Sequence, residues 1–356
     1  MSEVTLSVLS PRKIGISAAY EQKRQWLRER CSRAEAAGAV SPDTSSGPSS
    51  AQSQALAQLR RKSAEAGMEE EKRQAETPQQ LFLPGFDIGA FPNRLNRSSL
   101  IAPIARGPRK FHRQAVMVTR GNCVLQYTGE QLDESDGDLI MALIAFAQPS
   151  LFGTPVVLNR KQLLRAIKSS GIGNSQYKWL HRSIKRLCEA TLFLEARKKD
   201  GSLHYAVGRM VSFNILRDVN FNGDGEAYTY TLDPRWVLMF GNREYSLIDW
   251  DKRMQIRRGL DMAKTLQRLL ATSADSVQRF ALDDLKVQME YTSPLRKFHE
   301  ALAAACKEME RLQIISAWRI EESTRGKPQL VMWRFTESPR VSRRPFGLSQ
   351  PTPTVA

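Results

Sequence analysis

Apolar and polar positions fall into distinct regimes along this chain. Residues 1–79 are dominated by Ser, Ala, Gln, Glu and Arg and hold few large apolar side chains. Such a composition buries too little surface to offset chain entropy, so a mostly disordered leader is predicted. Within it, "SPDTSSGPSSAQSQ" (41–54) has the composition of a flexible linker. Ala-, Glu- and Arg-rich stretches around 18–37 and 54–76 read equally well as short partner-dependent helices or as disorder. Then Leu81, Phe82, Leu83, Phe86, Ile88 and Phe91 arrive together among prolines and glycines, on no helix or strand period. Residues 80–112 are therefore read as a partner peptide or as the anchor of a folded domain. The tail, 337–356, is rich in Pro and Ser and again reads as disordered.

Between these ends the periods become regular. Residues 114–129 read as two strands around a Gly-Asn turn. Residues 135–148 read as a helix capped by Ser135 or Asp136, and 158–171 as a second with Asn159 as cap and Gly171 as stop. Residues 174–190 form a third predicted helix. The following "TLFLEARKKDGSLHYAV" reads as a hairpin turning at Asp200-Gly201. Residues 226–240 add a strand and a short helical piece.

A similar order then recurs. Residues 250–273 read as a long helix, 280–291 as a short one, and 293–313 as a long one with Ser293 as N-cap and Pro294 at its first position. "IISAWRIEESTRGKPQLVMWRF" closes the series as a hairpin with a basic tip. Helix, short helix, long helix and two-stranded wing is the order of a winged helix-turn-helix. The predicted fold class is α+β: two tandem winged-helix domains, 113–244 and 245–336, between a disordered leader and a disordered tail.

The long helices are amphipathic. Leu295, Phe298, Leu302, Ala305, Met309 and Leu312 step by three and four and must face a core. In a helix-turn-helix the N-terminal part of the second helix meets base edges. That reading puts Thr292, Ser293, Arg296, Lys297 and Glu300 nearest the bases, with Lys307 further along. Arg and Lys suit guanine, and Glu accepts from cytosine. Arg325 and Lys327, at the hairpin tip, can reach phosphate. In the earlier helix Tyr177, Leu180, Ile184 and Leu187 form the apolar side, and Lys178, Arg182, Lys185 and Arg186 the other, opposed only by Glu189. Its hairpin adds Lys198 and Lys199 beside Arg197. Taken alone, the later helix reads first as an ordinary amphipathic helix with a solvated charged face, whereas a solvated face usually mixes signs and the earlier helix hardly does. Two basic faces, each followed by a basic hairpin, shift the reading to bipartite DNA binding.

Charge agrees: 53 Lys+Arg against 37 Asp+Glu give a formal net charge of +16, which points to a polyanionic partner. No apolar run is long enough to span a bilayer, and no basic-then-apolar segment opens the chain, so a cytoplasmic protein without membrane association is expected. Cys31, Cys123, Cys188 and Cys306 are widely spaced and read as reduced thiols. Catalytic signatures are lacking. "GIGNSQYK" (171–178) follows a helix and lacks a third glycine, His112, His181, His204 and His299 share no ligand spacing, and Asp283-Asp284 lacks a third acid. A binding protein is expected, with neither enzyme activity nor cofactor nor metal.

The pieces "LFLPGFDIGAFP", "VLQYTGEQLDESDGDLIMALIAFAQ" and "TSPLRKFHEALAAACKEMERLQIISAWRI" resemble the TrfA-like plasmid replication initiators, and the similarity runs over roughly residues 80–335. The resemblance implies two winged-helix domains that bind direct repeats (iterons) at a plasmid origin and open an adjacent AT-rich region. It also implies help in loading the host replicative helicase with the host initiator protein, contact with the sliding clamp, and inactive dimers in copy control. By the same resemblance, helix 293–311 reads the repeat, while the first domain contacts the DNA backbone and forms the dimer surface. Clamp-binding peptides have the form Gln-Leu-x-Leu-Phe. Gln80, Leu81 and Leu83 fit it, with Phe86 displaced by "PG" or Phe82 in a shifted register. Anchoring of the first domain is the equal alternative for 80–86. The rival function is a winged-helix transcriptional repressor bound to an operator.

Overall fold

The computed structural model describes residues 50–81, 89–104, 108–167, 171–221 and 227–335. The predicted helix at 18–37 and the tail 337–356 lie outside them. The chain divides into two compact units, Met1–Lys62 and Ser63–Ala356. Of the first, the described residues form the start of helix α1 (Ser50–Glu76), with Leu56 and Leu59 exposed. Where disorder or a partner-dependent helix was expected, Ala, Glu, Gln, Lys and Arg sustain 27 helical residues. An Arg73–Glu70 pair braces its last turns.

The second unit holds two apolar cores. Around the first lie β1 (Ala90–Pro92), α2 (Asn93–Asn96), β2 (Ile101–Ala102), β3 (Phe111–Val116), β4 (Cys123–Glu130) and β5 (Leu132–Asp133). There follow α3 (Glu134–Ala147), β6 (Val156–Asn159), α4 (Arg160–Ile167), α5 (Asn174–Glu189), β7 (Thr191–Arg197) and β8 (Leu203–Val207). This half ends with β9 (Phe213–Asn214), β10 (Arg217–Phe221), β11 (Ala227–Thr231), α6 (Trp236–Phe240) and β12 (Tyr245–Leu247). Helix α3 is apolar all round from Leu139 onward and is buried on nearly every side. Its cap is Asp133, not Ser135 or Asp136. The Asp133 carboxylate accepts from the Asp136 amide at 2.9 Å, and Asp136 accepts from the Asp133 amide at 3.1 Å. Asn159 caps α4 as expected, accepting from the Gln162 amide, but the chain before it is strand β6 rather than helix. Val156 and Leu158 are buried while Val157 is exposed, the alternation of a strand.

The second core is built by α7 (Trp250–Gln255), α8 (Asp261–Ala271), β13 (Val277–Ala281), α9 (Leu282–Gln288), α10 (Leu295–Arg311), β14 (Ile315–Glu322) and β15 (Pro328–Arg334). The single helix expected over 250–273 is two. The chain turns at Gly259, whose φ of +87° suits glycine, and the Arg257 amide is drawn to the Glu308 carboxylate at 2.9 Å. Strand β13, unforeseen, buries Gln278 and Phe280 on alternate positions.

The two halves share an order: helix, strand, short helix, long helix, hairpin. Their sheets differ. In the second, β13 pairs with β15 and β15 with β14. In the first, the strand before the short helix, β6, pairs with β11, while the hairpin β7–β8 continues a sheet from β3 and β4. The first core extends to Ile248 and the second begins at Ile256. Strand β12 pairs with β1, so residues 245–247 belong to the first core rather than the second.

Between the cores lies a buried ionic network. Glu134 accepts from Arg253 Nη2 at 2.7 Å, Arg268 Nη2 at 2.6 Å and Thr265 Oγ1 at 2.7 Å. Asp138 accepts from Arg253 Nε at 2.5 Å and from Lys264. Glu134, Arg253 and Arg268 have no exposed surface. At the edge, Arg120 donates to Gln288 and Gln131 to Glu290.

Candidate nucleic-acid interface

Helix α10 turns Phe298, Leu302, Ala305 and Met309 fully inward. Burying that stripe leaves Arg296, Lys297, Glu300 and Lys307 exposed on the far side. Arg296 and Glu300 form an exposed i,i+4 pair at 3.2 Å. Leu295, expected in the stripe, is 42% exposed in the first turn, where the helix has not yet reached the core. Pro294 occupies the cap position, and no side chain caps the helix, so Ser293 does not play that part. The turn before it is held by Tyr291, whose ring lies 5.2 Å from Phe298 and whose hydroxyl donates to the Lys297 carbonyl. Thr292, on that turn, is exposed. At the β14–β15 turn, the Ser323 and Lys327 backbones are joined, which leaves the Arg325 and Lys327 side chains exposed at the tip.

On α5, Leu180, Ile184 and Leu187 are buried. Lys178, Arg182 and Lys185 lie along one exposed stripe, spaced four and three residues apart. None of the three is ion-paired among the described residues. Lys198 and Lys199 are exposed at the β7–β8 turn, closed by a Lys198 amide to Ser202 carbonyl bond of 2.9 Å. Lys161 and Arg165, one turn apart on α4, are also exposed. The sequence signal for them is their i,i+4 spacing on the polar side of a short amphipathic helix.

Arg186 departs from its predicted role. It turns inward, donating to Glu130 at 2.5 Å and to Asp136 at 2.9 Å, with 12% of its side chain exposed. Burial works against its charge, but Asp136 and Glu130 outweigh burial and raise its pKa above the ordinary value. Arg186 is thus a tie between α5 and the start of α3, an unavailable phosphate ligand. If this surface meets DNA, Lys185→Ala should weaken that binding on all sequences and lower the log–log salt slope by about one unit. Arg186→Ala should leave that slope unchanged and instead destabilise the fold by about 1.5–3 kcal/mol, since bonds to a charged group are lost. Salt titrations and chemical denaturation of both variants separate the two roles.

Of the predicted clamp peptide, Phe82, Leu83 and Phe86 lie outside the described residues. Gln80 donates to the Gln148 carbonyl at 2.8 Å, and Leu81 is 5% exposed within the first core. Those two residues anchor the domain.

Among the described residues, no three His, Cys, Asp or Glu side chains converge as metal ligands, and no helix is long and apolar enough to cross a membrane. The buried thiols of Cys123 and Cys306 are pushed up to about 12 by burial, away from the reactive thiolate form.

No family model matches the chain, and no curated protein matches it in sequence. In structure it is similar to domains 2 and 3 of RctB. One such structure, a selenomethionine derivative, shows 12% identity and a TM-score of 0.44 over 66% of this chain and 95% of that one. Another, of RctB residues 155–483, shows 13% identity and a TM-score of 0.42 over 67% and 96%.

Proposed function

We propose that this chain is a plasmid replication initiator that binds direct repeats at an origin through two tandem winged-helix domains. In this reading α10 enters the major groove with Arg296, Lys297 and Glu300 toward base edges, and the β14–β15 tip sets Arg325 and Lys327 on phosphate. Helix α5 and the β7–β8 turn supply backbone contacts through Lys178, Arg182, Lys185, Lys198 and Lys199. Bipartite binding opens the neighbouring AT-rich segment. The host replicative helicase, the host initiator and the sliding clamp are the partners that the sequence resemblance implies, and self-association into dimers limits initiation.

One observation carries the proposal. The same element order occurs twice: α5 exposes a cationic stripe, α10 exposes Arg296, Lys297 and Lys307 with Glu300 among them, and each is followed by a hairpin whose turn carries exposed cations. A solvated helix face ordinarily mixes signs, yet the stripe of α5 has no acid between Lys178 and Arg186. An operator-binding repressor would use the same helices, so the arrangement of the target distinguishes the two. We expect binding to an array of direct repeats spaced by about two helical turns, which keeps successive sites on one face of the duplex. Permanganate footprinting should then show opening of the AT-rich flank. Tight binding confined to a single inverted repeat, without opening, would instead establish the repressor.

A further inference from the structure

The end of the leader helix is fastened to the first core by one carboxylate. Glu71, on α1, accepts from three consecutive backbone amides: Arg209 at 2.9 Å, Met210 at 2.7 Å and Val211 at 3.4 Å. It also pairs with Arg235 Nη1 at 3.3 Å, and the Arg235 side chain is wholly buried. Successive amides directed at one point make a concave donor set suited to an anion. The chain enters it through Gly208, at φ +77°, where a Cβ would lie 2.1 Å from the Leu192 carbonyl oxygen. Only glycine allows this approach, so the amides are held in place by the sheet itself.

Charge balance shows what Glu71 does there. Asp233 holds Arg235 at 2.7 Å and lies 3.6 Å from Arg217, which in turn donates to the Ala75 carbonyl of α1. Two guanidinium groups thus meet two carboxylates, Asp233 and Glu71. Without Glu71, one positive charge and three amide donors are left uncompensated. The rest of the attachment is modest: Ala75 is buried, and Gln79 exchanges backbone hydrogen bonds with Phe152.

We infer that the Arg209–Val211 amides and Arg235 form an oxyanion-binding site which the chain fills with its own Glu71, and that this carboxylate clips residues 63–76 to the first core as a releasable strap. The ligand class is a carboxylate or phosphate oxyanion: Glu71 occupies the site in cis, and an external oxyanion occupies it once the strap lifts. This holds whether or not the protein reads DNA.

Amide hydrogen exchange on the full chain tests it, with Glu71→Gln against the parent and Glu69→Gln as an exposed control. Glu71→Gln should speed exchange at Arg209–Val211 and along 63–76 by about tenfold or more, the loss expected for bonds to a charged acceptor. Inorganic phosphate should then slow exchange again at Arg209–Val211 without re-protecting 63–76, and should change nothing in the parent. Glu71→Ala, which leaves no amide in the site, should respond to phosphate in the same way. Unchanged exchange at Arg209–Val211 in Glu71→Gln would overturn the clip. Release without phosphate protection in either variant would overturn the oxyanion site.

Discussion

Glu134→Gln should lower the unfolding free energy by about 3–5 kcal/mol, the cost typical of removing one partner from a buried ion pair. Arg268 is fully buried, and Glu134 is its one ion-pair partner among the described residues. Its remaining bond there is to the Ile101 carbonyl. Arg253 would keep Asp138. The loss should register in urea denaturation at neutral pH, and a change under about 1 kcal/mol would mean that water reaches the network. Burial opposes ionisation of Glu134, but the Arg268 and Arg253 charges prevail and hold its carboxyl at about 2, below its ordinary 4.5. A depressed carboxyl binds fewer protons folded than unfolded. Its contribution is therefore complete above about pH 4.5 and is lost as pH falls toward 2. Asp133 runs the other way. Burial and the Asp136 charge raise it from 3.8 to about 6, against Arg109, so its contribution falls as pH rises through that interval. Acid titration of Glu134→Gln should show the low-pH loss flattened and the Asp133 component retained.

The second large effect is on recognition. On the proposed DNA-reading role of α10, Arg296→Ala or Lys297→Ala should cost about 1–3 kcal/mol of discrimination at one or two base pairs, measured on a panel of single-substitution sites. Among the described residues, Arg296 is tied only to Glu300, in an exposed pair that contributes little to the fold. Stability should therefore remain within about 0.5 kcal/mol of the parent. Uniform weakening on every sequence would make α10 a phosphate contact and move base reading elsewhere.

Local chemistry was enough for much of this structure. The sequence located α3, α5 and α10 to within two residues: α3 as a continuous apolar run behind acidic residues, and α5 and α10 because each buries a stripe that recurs at three and four. The Asp200-Gly201 and Gly326 turns sit where hairpins were expected. The exposed cations followed from the same stripes, since burying one helix face exposes the other. The errors cluster where a distant residue prevails over a local preference. The helix over 250–273 breaks because Glu308, 51 residues away, takes the Arg257 amide. Strand β13 was hidden because five residues running into a helix carry too short a period, and its identity comes from pairing with β15.

Arg186 could not be separated from Lys185 by sequence, since both lie on the polar side of one helix. What distinguishes them is Asp136, 50 residues earlier in the chain, which folding brings within 2.9 Å. The network of Glu134 with Arg253 and Arg268 spans 119 and 134 residues in the same way. Its local trace was three acids, Glu134, Asp136 and Asp138, at the start of a helix that is apolar from Leu139 onward. Secondary structure and the solvent-facing charge are consequences of neighbouring residues, and the amino-acid order carries them. Which charges are spent inside the protein, and which remain for a partner, depends on low-dielectric contacts that exist only after the two cores have packed together.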